Sequence, residues 1–96
     1  MPETKMRIEW SDGTQQDCYS PSLSIKKYFE PGEEYELAEF VEQSRIALNQ
    51  ASDRVKAAFG YPCSKAMAQL EQIEQKAREY RGLSESKVKI LGFTDL

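Results

Sequence analysis

The sequence predicts an α+β domain with element order β-β-α-α-α-β: a three-stranded sheet with a helical hairpin packed on one face. Three observations carry this. Apolar residues alternate with period two near the N-terminus, recur every three to four residues through the middle, and alternate again near the C-terminus. Gly and Pro stand where those periods change. Ninety-six residues, 40% hydrophobic and 30% charged, form one domain spanning 1–96 rather than a disordered chain.

The first strand covers residues 5–10, where Met6, Ile8 and Trp10 alternate with Lys5, Arg7 and Glu9. Ser11-Asp12-Gly13 turns the chain, and Gly13 supplies the positive φ a tight hairpin needs. Residues 14–19 return as a second, more polar strand suited to an edge. Ser20-Pro21-Ser22 then breaks the pairing. Ser20 caps a short helix from Leu23 to Phe29 that Pro21 begins; an extended segment with Leu23 and Ile25 alternating is the other reading. Glu30-Pro31-Gly32 ends it as a turn.

From Glu36 to Phe59 the helical signal is long. Leu37, Phe40, Val41, Ala47, Leu48, Ala51, Val55, Ala58 and Phe59 fall on one stripe, and Ile46 lies on the wet side. Gly60 stops this helix in the left-handed conformation, and Pro62 opens the next element. The last helix, Cys63 to Tyr80, carries Ala66, Met67, Leu70, Ile73, Ala77 and Tyr80 inward. The short joint between the two makes them antiparallel neighbours. A final strand, 87–93, points Val88 and Ile90 inward. The expected strand order is 2-1-3, with the last strand parallel to the first. Trp10, Phe40 and Phe59 are expected in the core.

Composition narrows function mainly by exclusion. A chain this short buries roughly 60–65% of its unfolded surface, enough for a core but not for a deep cleft. With a net charge of −3 and interspersed signs, it offers nucleic acid no basic footprint. No apolar run approaches the roughly 20 residues that span a bilayer, and the N-terminus lacks a secretory pattern, so the expected compartment is the cytoplasm. The sequence contains no histidine, which removes the commonest neutral-pH base and metal ligand together with any Ser-His-Asp or Cys-His arrangement. No cofactor and no metal site is predicted. The carboxylates read as solvated charges, and the glycines form no phosphate-binding loop.

Two segments stand out chemically. Cys18-Tyr19-Ser20-Pro21-Ser22 and the joint Tyr61-Pro62-Cys63-Ser64 each unite a tyrosine, a proline, a serine and a cysteine. As a candidate partner-binding surface they expose polar groups beside ordered elements. The simpler reading makes Ser20 and Ser64 helix caps, Pro21 and Pro62 helix starters, and the tyrosines edge packing. Either cysteine is a buried hydrophobe or, nearer a helix start for Cys63, a reactive thiol.

The Cys18–Ser22 stretch after Trp10-Ser11-Asp12-Gly13, and Phe59-Gly60-Tyr61-Pro62-Cys63-Ser64, resemble a small bacterial family of nitrogen-starvation response proteins. Tyr35-x-Leu37-Ala38-x-Phe40 and Ala51-Ser52-x-Arg54-Val55 are similar to it as well, so the resemblance covers essentially the whole chain. One departure is Glu36, where that family leads to an expectation of proline at the helix start. The resemblance implies a gene neighbourhood with a nitrilase, a radical S-adenosylmethionine enzyme, an acetyltransferase and a flavin-dependent oxidoreductase. The expected role is an accessory protein that binds those neighbours or itself as a homo-oligomer. A thiol-dependent enzyme or carrier and a ligand-sensing regulator are the alternatives.

Overall fold

Residues 2–82 and 86–96 are described by the computed structural model. Strands β1 (Thr4–Glu9) and β2 (Gln15–Ser20) form the expected hairpin, in register from Thr4 opposite Ser20 to Glu9 opposite Gln15. Its turn is closed by the Trp10 amide donating to the Thr14 carbonyl at 2.8 Å, while the Thr14 amide donates to Asp12 Oδ1 at 3.0 Å. Gly13 takes φ 89°, as the turn requires. A 3₁₀ helix (Leu23–Lys27) follows, then β3 (Glu34–Glu36), α1 (Leu37–Phe59), α2 (Ser64–Arg78) and β4 (Lys87–Asp95).

The sequence predicts three strands, and the described residues form four, ordered β2-β1-β4-β3. The extra strand, Glu34-Tyr35-Glu36, is too short to show a period and follows directly on a Pro-Gly turn. The three predicted strands keep their order, but the last is antiparallel to the first, with Glu9 opposite Lys89 and Thr4 opposite Asp95. The reason is the helix pair. Two antiparallel helices carry the chain out and back, so β4 starts beside the end of β3, where the Leu37 amide donates to the Ser86 carbonyl at 3.1 Å. A strand starting there must run against β3, whose direction is that of β1.

The core lies between the sheet and the helices. Met6, Ile8, Cys18, Val88 and Ile90 point inward from the strands and, with Trp10 just after β1, meet Phe40, Leu48, Ile73 and Ala77. Trp10 stacks on Tyr80 at 5.4 Å and meets Phe40 edge-on at 5.7 Å, while its indole N–H donates to Gln16 Oε1 at 2.9 Å. The other sheet face is wet. Arg7 there pairs with Asp17 across the hairpin at 3.0 Å, and Lys89 stands opposite both Glu9 and Glu34.

Further corrections concern helix ends. The short helix stops at Lys27 rather than Phe29, and its cap is Ser22 rather than Ser20: the Ser24 amide donates to Ser22 Oγ. The last helix begins at Ser64 with Cys63 as its cap residue, making no side-chain cap bond. Gly60 does end α1 in the left-handed region, at φ 86°. Phe59 is not core: it is 57% exposed, because the end of α1 runs past the packed body and leaves Ala58 and Phe59 on the surface.

Candidate functional site

The two chemically distinctive segments meet at one end of the molecule, where β2 packs on α2 and the helical turn projects beyond it. β2 is an edge strand, so the Tyr19 amide faces away from β1 and needs another acceptor. Gln69, a buried residue on α2, supplies one: its Oε1 accepts from that amide at 2.9 Å. The Tyr19 ring lies under Lys65 Nζ, 5.8 Å from its centroid, and its hydroxyl donates to the Glu3 carboxylate. Desolvation first, and then that carboxylate, raises the Tyr19 phenol far above its ordinary range, with a smaller contribution from nearby Cys63.

The loop after β2 is tied inward. Ser20 is buried, and its Oγ donates to the Ser22 carbonyl at 2.7 Å. Ser22 Oγ accepts from the Ser24 amide at 3.2 Å and from Arg54 of α1 at 3.3 Å. Pro21 is buried between them. At the helical joint the Cys63 amide donates to Ser52 Oγ at 3.1 Å, so a hydroxyl of α1 satisfies one of the open donors where α2 begins.

The eight sequence-predicted residues therefore divide. Cys18, Ser20, Pro21 and Ser22 are interior and hold the loop; Tyr19 and Cys63 are half-buried in the seam; Tyr61 and Ser64 are exposed. Tyr61 is 66% exposed, and its hydroxyl makes no hydrogen bond among the described residues, unlike those of Tyr28 and Tyr35, which bond to Gln50 and the Glu30 amide at 2.9 Å. Burial pushes the Cys18 thiol up to about 12, so it stays protonated near neutral pH and is no nucleophile there. Cys63 is the more accessible thiol.

The sequence reading puts Phe59 in the core and gives Arg54, Ser52 and Gln69 no place in the candidate surface. Gln69 carried a readable signal: a polar residue three after Ala66 and four before Ile73, on the apolar face. Ser52 carried the same signal, four after Leu48. Among the described residues no group of three or more His, Cys, Asp or Glu side chains could hold a metal ion. No described helix is long and apolar enough to cross a membrane.

Fold and site together define a small α+β domain whose distinctive surface is an exposed aromatic turn beside a hydrogen-bonded seam. The family model described as nitrogen starvation-induced protein NitG matches residues 5–93, and the chain belongs to that family. No curated protein and no solved structure matches it.

Proposed function

We propose that this chain is an accessory protein of the nitrogen-starvation response that works by binding a protein partner through its helical turn. The observation that carries the reading is the pair Phe59 and Tyr61. Both are large aromatic side chains more than half exposed, on either side of a left-handed Gly60 that holds the turn open. Rigid aromatics on a projecting turn suit a contact anchor, since they bury large area with little rotamer entropy lost. The seam beneath, with Arg54 on Ser22 and Gln69 on Tyr19, fixes the turn to the body. The family's description as nitrogen starvation-induced supports the setting; the partners we propose are proteins of a nitrilase gene neighbourhood, met in the cytoplasm.

The test uses purified neighbourhood proteins one at a time: the nitrilase, the radical enzyme, the acetyltransferase and the oxidoreductase. Wild-type chain should retain at least one, and the F59A/Y61A double variant should lose it while melting within a few degrees of wild type. If the double variant binds as wild type does, or if none of the four is retained, this reading fails.

A further inference from the structure

The molecule is charged at both ends of α1, with opposite signs. Residues 30–42 contain Glu30, Glu33, Glu34, Glu36, Glu39 and Glu42 and no base, and all six are exposed. Residues 43–70, which form the rest of α1, the turn and the start of α2, carry Arg45, Arg54, Lys56 and Lys65 against Asp53 alone. That segment is net +3 in a chain whose net charge is −3. At 1.5 Å per residue the 23 residues of α1 separate the two ends by about 34 Å, and the molecule measures 42 Å along its long axis.

Part of each patch is neutralised internally. Arg45 pairs with Glu42, while Lys89 and Lys87 stand opposite Glu34 and Glu36 on β4. Glu30, Glu33 and Glu39 make no ion pair among the described residues, and neither does Lys56; Lys65 has only its ring contact with Tyr19. Each end thus keeps an excess of unpaired charge, acidic at one and basic at the other, although Asp53 stands among the bases and Arg81 beside the acids. The basic end also presents Phe59 and Tyr61. The open groove of about 770 Å³ beside the acidic end is not itself acidic: Arg45, Arg81 and Lys87 line it against Glu36 and Glu42. The acidic excess lies outside the groove, on Glu30, Glu33 and Glu39, so charge favours approach from the β3 side.

We infer that the chain associates head to tail with a second copy of itself, the Phe59–Tyr61 turn of one molecule seating against the acidic β3–α1 edge of the next. This rests on the same turn as the partner-binding reading above and names a second copy as an occupant, because this chain itself carries the surface of complementary charge. The two surfaces differ, so the contact is heterologous and does not close on itself in a pair. Small area and exposed charges make it weak, fast and salt-sensitive.

Sedimentation velocity on the purified full chain tests this. The weight-average sedimentation coefficient should rise with protein concentration at low salt. It should fall to the monomer value near roughly 1 M salt, where the screening length is about 3 Å. A turn variant, K56E/F59S, and an edge variant, E33K/E39K, should each be monomeric alone, with melts showing both folded. Mixed, they should form a one-to-one pair and nothing larger, because only one good turn and one good edge remain. A wild type that stays monomeric at low salt overturns the inference, as does association of either variant alone or a mixture that fails to pair. Monomer behaviour with continued retention of a neighbourhood protein would overturn this inference and leave the partner-binding reading standing. The reverse pattern would do the opposite.

Discussion

The two halves of α1 obey the same apolar spacing and meet different fates. From Phe40 to Ala51 the stripe is buried against the sheet and α2, with Phe40, Ala47, Leu48 and Ala51 all inaccessible. From Val55 to Phe59 the stripe continues in phase, yet Val55 is only half-buried and Ala58 and Phe59 are exposed. Periodicity fixes which face of a helix is apolar; it says nothing about whether another element reaches far enough to cover it. Where the body ends, a core pattern becomes a surface pattern.

The largest expected effect sharpens that contrast. Leu48→Ala should lose roughly 2–5 kcal/mol, from lost transfer energy plus the cavity left in a packed core. Phe59→Ala removes a larger side chain but should change stability by no more than about 0.5 kcal/mol, since it is more than half exposed and outside the core cluster. Guanidinium melts of the two variants measure this directly. A loss for Phe59→Ala comparable to that of Leu48→Ala would mean the turn is packed after all.

Much of the fold was legible because its signals are local. The Met6-Ile8-Trp10 alternation, the Gly13 turn and the Gly60 stop each sit within a few residues, and the structure agrees at each. Ile46 on the wet face was readable for the same reason. Strand direction was not local: whether β4 runs with or against β1 depends on where the helix pair returns the chain, near β3, a strand of three residues without a period. The site was legible in part. Tyr61 and Ser64 are exposed, but Ser20 and Pro21 were chosen for their chemistry and lie buried, because a serine that bonds to its own loop has the same letter as one that faces a partner.

Next in size is an alkaline instability seated in the body. The folded Cys18 thiol titrates near 12 against an ordinary 9.0, chiefly through desolvation, and the Tyr19 and Tyr80 phenols are raised as well. A group raised on folding stabilises the native state fully below its unfolded pKa. That contribution is lost as pH climbs from the unfolded value to the folded one, because the unfolded chain sheds its proton first. Stability should therefore hold to about pH 9, then fall by up to about 1.4 kcal/mol per unit for Cys18 alone. Melting curves from pH 7 to 11 give the onset, and Cys18→Ala should flatten the first part of the fall. At pH 8 the half-buried Cys63 should react with iodoacetamide well before the buried Cys18, which reacts only as the protein opens. Comparable rates would place Cys18 outside the core.

The smallest effects separate two serines that the sequence treats alike. Ser22 is a working cap: its Oγ accepts from the Ser24 amide, and Arg54 of α1 bonds to the same oxygen. Ser64 is already the first residue of α2, and the cap position before it belongs to Cys63, whose own amide is satisfied by Ser52. Capping losses run at about 1 kcal/mol, so Ser22→Ala should cost that much and loosen the hold of α1 on the loop. Ser64→Ala should cost nothing measurable, since alanine is the better helix former and no hydrogen bond is lost. Ser52→Ala should resemble Ser22→Ala, because it leaves the Cys63 amide without its acceptor in a half-buried joint. Denaturant midpoints of the three variants decide it. If Ser64→Ala falls with the other two, α2 is capped by its own first serine, and the turn is anchored locally rather than through α1.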